Sequence, residues 1–479
     1  MSEYIVQGSS LTAVANKIRE KTGGSAPLEF PDDFISEIDR LVKIPETPSD
    51  AILFYSIHPF TLETTNKTKN WNGALYYSVN DADWTEWGGT TELTAALTNG
   101  FYLLYLKGSG NTIISGSGTY KQGFEITGSL VKCVGNFNNL LDSVTNFACA
   151  FLFQNCTNID FDIILPFTSL NNGCYLKMFM GCTSLTKAPV LPASTIAISA
   201  YSEMFQNCIN LKTPPVLSAS QLDTGCYFNM FSGCKNLLSA PALPATTLAQ
   251  SCYSNMFNGC SKLTTAPALP ATTLANSCYS GMFAGCSELT AAPVLPATTL
   301  AQSCYSNMFD GCNKLTAAPA LPATTLANSC YSKMFQNCSS LLSAPSLPAL
   351  TCTTYCYEYM FSGCSSLTTS PVLPATTLDT YCYRAMYLGC INLETINELP
   401  VTTLKSSCYS NMYVNCSKIK MSTSQIDDYQ TAYRIPSSGT GTTASNAMTY
   451  MFNGTGGTFT GAPTINTTYY TSNTIVPAT

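Results

Sequence analysis

Twenty-three cysteines set against a single histidine, His58, are the side chains of this 479-residue chain with the most chemistry open to them. Thiols can close disulfides, hold a tetrahedral metal or attack as nucleophiles, and their spacing chooses between these roles. Most fall in pairs eight residues apart: Cys252 with Cys260, Cys278 with Cys286, Cys304 with Cys312, Cys330 with Cys338. Each pair recurs 26 residues further on. An obligate disulfide within the pair is disfavoured, because Ala148 and Ala200 stand in the first cysteine's column while Cys156 and Cys208 remain in the second. The total is also odd. Zinc sites usually show two close pairs or added histidines, and His58 lies outside the repeated segment. Free cysteine packs as a small hydrophobe. The pattern therefore predicts two structural thiol ladders in a core, with disulfides formed after oxidation and metal binding as competing readings. No metal or other cofactor is implied, and so many unpaired thiols suit assembly in a reducing cytosol.

Catalysis has little else to draw on. Ser-His-Asp and Cys-His chemistry need a histidine, and His58 precedes Pro59 with no nucleophile motif around it. Glu288, Asp310 and Glu358 are isolated acids at different positions of the repeat and read as solvated charge. No P-loop or dinucleotide fingerprint is present. The chain is expected not to be an enzyme. Charged residues make up 10% of it, well below the usual quarter, so Ser, Thr, Asn and Gln must carry solubility. The net charge of -6 gives no electrostatic footprint for nucleic acid or anionic lipid. There is no apolar run of membrane length, so no membrane insertion is expected. The opening residues lack a cationic, apolar export signal, and the expectation is retention inside the producing cell or release by another route.

The elements that position the thiols are written in the repeat LPATTLAxSCYSxMFxGCxxLTxAPx, where x marks free positions. A fixed period in this range is the signature of a solenoid whose units bury their apolar faces against one another. Recognition is therefore a better first expectation than catalysis. At 100° per residue, Leu248, Ala249, Cys252, Tyr253, Met256 and Phe257 share one half of a helical circumference, which predicts a short amphipathic helix. Residues on the opposite half drift between coils, Asn255 becoming Gly281, Asn307 and Lys333, and Asn258 becoming Ala284, Asp310 and Gln336. Thr246 or Thr247 can supply the N-cap oxygen. Gly259, Gly285, Gly311 and Asn337 occupy a column that is Gly or Asn in every coil, which reads as a helix C-cap. After it, residues 263–266 should be extended and pair with the next coil at about 4.8 Å, while Pro267 and Pro270 keep the strand short. The expected class is an α/β solenoid of 26-residue coils, with short parallel strands plus short helices.

Composition divides the remainder. Residues 1–44 read as a helical attachment segment, with Leu11, Val14, Ala15 and Ile18 on one helix and Phe34, Ile35, Ile38 and Leu41 on a second. Residues 45–49 form a stiff linker. Residues 50–147 turn to β character, with Trp71, Trp84 and Trp87 among the alternating runs, and predict a small antiparallel sandwich or barrel. That aromatic cluster suits core packing or a sugar. The solenoid spans 148–419, and 420–479 hold an insertion, a degenerate last repeat (Met451, Phe452, Gly454) and a C-terminal cap.

The coils MFxGCxxLTxAPxLPATTLAxSCY resemble the BspA-like class of leucine-rich repeats, found on surface proteins of gut and oral bacteria and on tail proteins of their phages. The opening SSLTAVANKIREKTGGSAPLEFPDDFISEI resembles a short module at the N-terminus of phage tail proteins. The β segment, with WNGALYYSVNDADWTEWGG, is similar to a domain that precedes such repeats there. The resemblance implies a phage tail fibre or tail-tip adhesion protein of the virion, made in the bacterial cytoplasm. Residues 1–44 would dock to other tail or baseplate proteins, and the solenoid would face a host-surface glycan or protein; by analogy the protein is a homo-oligomer, a trimer. A structural spacer and a BspA-like bacterial surface adhesin are the alternatives. The candidate receptor contacts are Tyr253, Asn255, Asn258, Tyr279, Tyr305, Asn307, Asp310, Tyr331, Lys333 and Gln336. Their tyrosines stand at the border of the apolar stripe, where they are either half-buried packing or a ligand-contacting row.

Overall fold

The computed structural model describes residues 45–115 and 123–478. The attachment helices expected in 1–44 lie outside the described residues. The N-terminal part of the described chain is built from β1 (Ile52–Ser56), β2 (Phe60–Thr64), β3 (Ala74–Ser78), β4 (Thr85–Glu86), β5 (Leu93–Thr94), β6 (Ala96–Thr98), β7 (Phe101–Ser109), β8 (Phe124–Gly128) and β9 (Val131–Asn136). Strand β10 (Ile159–Ile164) completes a sheet of order β10-β9-β1-β7-β3-β4, with β6 also on β7. A second sheet has the order β5-β2-β8. Side-chain alternation sorts β1 cleanly: Ile52 and Phe54 enter the main core while Leu53 joins a smaller cluster with Phe101, Leu103 and Tyr105. Trp71 and Trp87 are core residues with ring centroids 5.2 Å apart, whereas Trp84 lies under the Lys107 ammonium at 3.8 Å.

This sheet does not stop at the first coil. Strand β10 belongs to that coil and pairs in parallel with β9, from Ile159 opposite Val131 to Ile164 opposite Asn136. The amides of Ile114 and Phe124 donate to the carbonyls of Ala148 and Leu152 at 2.9 and 2.6 Å. Those carbonyls form the open edge of the first coil, and a buried open edge would be costly. The β unit thus closes the solenoid's N-terminal end.

Within the coils the expected helices are absent: among the described residues there is no α-helix, only two 3-10 turns at Thr65–Lys67 and Phe137–Asn139. The α/β assignment is corrected to a solenoid of turns and short strands. In a representative coil, Cys252, Ser254, Met256, Asn258 and Cys260 each donate their N–H three residues back, at 3.0–3.3 Å. The intervening Ser251, Tyr253, Asn255, Phe257 and Gly259 donate instead to Asn276, Cys278, Ser280, Met282 and Ala284 of the next coil, at 2.7–3.0 Å. Half the amides close β-turns and half stitch coil to coil, whereas a helix would spend all of them inside one segment.

The physical reason lies in every fourth residue. Ser251, Asn255 and Gly259 have φ of 53°, 52° and 72°, the left-handed region that a continuous right-handed helix excludes. Every second turn has such a residue at its third position, as a type II turn requires. The repeating unit is four residues long, so Cys252, Met256 and Cys260 point inward together, as do Tyr253 and Phe257. Over ten residues a period of four is hard to tell from 3.6.

Two narrow ladders run along the stack. Thr265 pairs in parallel with Ala291, so the extended stretch after the turns is reduced to a bridge by its prolines. Thr247 pairs with Thr273, so the residue expected as an N-cap is a ladder position. At the first coils the second ladder lengthens into β11 (Ser169–Leu170) beside β12 (Thr195–Ile196). The C-terminal end holds β13 (Thr395–Asn397), β14 (Met421–Ser422), β15 (Thr431–Arg434), β16 (Thr468–Thr471) and β17 (Thr474–Val476). Strand β17 pairs in parallel with β13, and an antiparallel sheet of order β14-β16-β15 packs over the last coils. One apolar cluster is continuous from Ile52 to Tyr469.

Candidate binding surface

The inward columns stack on themselves. Phenylalanines from Phe179 to Phe361 lie face to face with centroids 5.6–5.8 Å apart and planes within 8°. Each such step adds about 0.5–1.5 kcal/mol beyond burial. Beside them runs the tyrosine column. Tyr253, Tyr279, Tyr305 and Tyr331 are 1% exposed, which removes them from the set of receptor contacts. Their rings stack at 5.8–5.9 Å inside the wall, and burial pushes the phenol pKa of each well above the usual range.

All twenty-three cysteines are buried as thiols. The two thiol columns nonetheless differ. In the second column, Cys260, Cys286, Cys312 and Cys338 donate their S–H to the carbonyls of Phe231, Phe257, Phe283 and Phe309 in the preceding coil at 3.0–3.2 Å. The same bond recurs from Cys156 to Cys416. In the first column, Cys252, Cys278, Cys304 and Cys330 make no such bond to the preceding coil, Ala148, Ala200 and Ala447 replace cysteine, and Cys356 and Cys408 reach the next coil's Cys382 and Ala447 carbonyls at 4.0 Å. Burial pushes the thiols of Cys278, Cys330 and Cys338 up to about 12. Such thiols are poor nucleophiles at neutral pH. Among the described residues no group of three or more His, Cys, Asp or Glu could hold a metal ion.

The outward positions lie along the turn ribbon. Asn255, Asn258, Asn307, Asp310, Lys333 and Gln336 are all partly exposed there. Asp310 accepts from the Asn337 carboxamide at 3.1 Å, and partial burial raises its carboxyl pKa against the opposing pull of Asn337 and Lys333. Gly259, Gly285, Gly311 and Asn337 are left-handed, as their types predicted, but they end the ribbon of turns rather than a helix. Their column carries a rule. A Cβ on Gly181, Gly233, Gly363 or Gly454 would overlap the carboxamide oxygen of Asn155, Asn207, Asn337 or Asn415 in the coil before. Every Asn in this column is accordingly followed one coil later by Gly.

A second surface is apolar. The residue after the first proline column of the coil points outward, with Val216 and Val294 more than three-quarters exposed, and shallow clefts lie between Pro267, Pro270, Pro293 and Pro296.

One stretch breaks the repeat on its wet side. Where coils five, seven and eleven read SCYSN and every other interior coil opens this stretch with Ser or Gly, coils nine and ten read YCYEY from Tyr355 and YCYRA from Tyr381. The sequence reading passed over these residues because it sought regular columns; the departure from consensus was the available signal.

A polar, weakly charged ribbon of near-identical coils over a stacked core defines a repeat solenoid. The description "BspA type Leucine rich repeat region" matches in six copies, over residues 175–316, 227–341 and 279–420, which together span just over half of the chain. The chain belongs to this family of BspA-type leucine-rich repeats. Among solved structures it is similar to a leucine-rich repeat protein from Bacteroides ovatus, at 19% identity and a TM-score of 0.39, over 63% of this chain and 84% of that one. No curated protein matches.

Proposed function

We propose that this chain is a non-catalytic surface adhesin in which the BspA-type solenoid is the binding element and the flanking β units close its ends. The observation that carries this reading is the turn ribbon. It holds its backbone rigid through coil-to-coil hydrogen bonds while presenting Asn, Ser, Gln and Lys side chains that can change from coil to coil without touching the core. Adaptable uncharged side chains on a fixed frame suit recognition of a glycan or protein surface. Family membership supports an adhesion role. A place on a phage tail is the second reading, supported by the resemblance of residues 1–44 to tail-protein modules; in that case the same ribbon faces the host envelope and the first residues dock to the tail.

Removing two whole coils, residues 261–312, keeps the register of every remaining coil and tests binder against spacer. An adhesin should lose part of its adherence to intact bacterial or host cells in proportion to the ribbon removed. Undiminished adherence by the shortened chain would leave the solenoid as a spacer and refute the proposal.

A further inference from the structure

Coils nine and ten keep the inward pattern of the repeat, with Cys352 in place of leucine and Tyr387 in place of phenylalanine, and change the outward residues. Cys356, Tyr357, Met360 and Phe361 are buried as in other coils, and so are Cys382, Tyr383 and Met386. At the left-handed positions, where interior coils elsewhere carry Ser, Gly, Asn, Glu or Lys, stand Tyr355, Tyr359 and Tyr381 with φ of 58°, 54° and 60°. A bulky residue is unfavourable in this region, and neighbouring coils fold without one. The fold does not call for these rings.

Their arrangement is specific. Tyr355 and Tyr381 stack face to face with centroids 4.8 Å apart and planes within 5°. The coils to either side carry small Ser329 and Ser407 in this column, which leaves room beside the outer faces of the pair. The Arg384 guanidinium lies 5.4 Å from the Tyr381 ring and 5.6 Å from the Tyr359 ring, and its Nη1 pairs with Glu358 Oε1 at 3.2 Å. The other Glu358 oxygen accepts from Ser332 Oγ at 3.4 Å, which fixes the carboxylate. Lys333 lies 5.8 Å from the Tyr359 ring. Asp379 accepts from Thr354 at 3.0 Å beside the stacked pair.

We propose that this patch on coils eight to ten is a binding site for a pyranose-containing polysaccharide. The inference rests on the adhesion reading above and names its ligand class and place. Flat phenol faces match the C–H face of a pyranose ring. The partly exposed Arg384 guanidinium, held in place by the buried Glu358 carboxylate, offers donors at the ring's edge to sugar hydroxyls. Few convergent polar groups around aromatic surface are what small-ligand subsites generally show. With Lys333 and Arg384 set against Glu358 and Asp379, the patch has no strong charge that would call for a highly charged polymer.

The test is affinity electrophoresis of the full chain through gels containing dextran, laminarin, yeast mannan or polygalacturonate. It is compared with Y355S/Y359N/Y381S, which installs residues the other coils use and so should fold at least as stably by thermal melting. At least one polymer should retard the unaltered chain, and the variant should lose tenfold or more of that affinity. Equal retardation of both proteins, or no retardation by any of the four, overturns the proposal. Tyrosine-dependent binding confined to displayed peptides overturns it in favour of a protein ligand. Adherence to intact cells separates the two levels of the argument. If chain and variant adhere equally, this site falls and the adhesin stands; if neither adheres, both fall.

Discussion

The Gly/Asn column makes a quantitative statement about neighbouring coils that one double-mutant cycle can test. Gly233 and Gly259 have nearly the same backbone, φ of 76° and 72°, so alanine at either carries the same left-handed penalty of about 1–2 kcal/mol. Their surroundings differ. A Cβ on Gly259 would stand 3.8 Å from the nearest atoms, the N and Cα of Gly233, which is ordinary contact. A Cβ on Gly233 would overlap the Asn207 carboxamide oxygen, and because Asn207 is exposed its side chain can turn aside, at a further cost of about 0.5–1.5 kcal/mol for leaving its rotamer. G233A should therefore destabilise by about 1.5–3.5 kcal/mol and G259A by the backbone share alone. Asn207→Gly should cost little by itself and, combined with G233A, return most of the excess, a coupling of about 0.5–1.5 kcal/mol. Urea unfolding followed by far-ultraviolet circular dichroism at matched protein concentration supplies the comparison. Because repeat stability is carried by nearest-neighbour interfaces, midpoint and slope should be compared together. Equal losses in G233A and G259A, or a double variant no better than G233A, would refute the reasoning.

Other consequences follow from the same geometry. Cys286→Ala removes a donor to the Phe257 carbonyl whereas Cys278→Ala removes only volume, so the former should cost about 0.5–1 kcal/mol more in the same urea assay; equal costs would mean the S–H bonds contribute nothing. The second consequence concerns alkali. Thiols such as Cys208, Cys330 and Cys390 are held up to about 12 when folded but ionise at about 8.5 when unfolded. Their stabilising effect is complete below the unfolded value and is lost as pH rises towards the folded one, because the unfolded state then binds fewer protons. Each thiol removes about 1.4 kcal/mol per pH unit across that window. Urea midpoints should fall steeply between pH 9 and 11, and a flat profile would show that the thiols are not dry.

How far the sequence could be read depended on which physical signal each residue carries. The period, the inward set Cys252, Tyr253, Met256, Phe257 and Cys260, and the left-handed Gly/Asn column were all legible, because burial and φ sign act on residue type directly. The helix was misread because inward spacing of four mimics 3.6. The correction was present at Ser251, Asn255 and Gly259, three left-handed-tolerant types four apart, and only the last was interpreted as such. The tyrosine column illustrates a different limit. From a helical wheel Tyr253 sits at the edge of the stripe, but in the turn ribbon it is carried wholly inside. Pairing after the turns was expected at residues 263–266, but the hydrogen bonding between coils along the turn ribbon was not readable, since backbone amides leave no trace in composition.

A strictly repeated coil separates what folding demands from what it permits. The Gly/Asn column tolerates two residue types, whereas the other two left-handed columns also accept Ser, Lys, Glu, Ala, Phe or Tyr, even though a Cβ on Gly281 would meet the Asn255 carboxamide oxygen of the coil before. The penalty for a large side chain in those columns is a local backbone term that does not propagate into the thiol and phenyl ladders. A binding patch can therefore arise on any pair of coils without repacking the core, as the intact Cys356, Tyr357, Met360 and Phe361 beneath Tyr355, Glu358 and Tyr359 illustrate. On such a scaffold the departures from the repeat, rather than its most regular columns, are where specificity has room to reside.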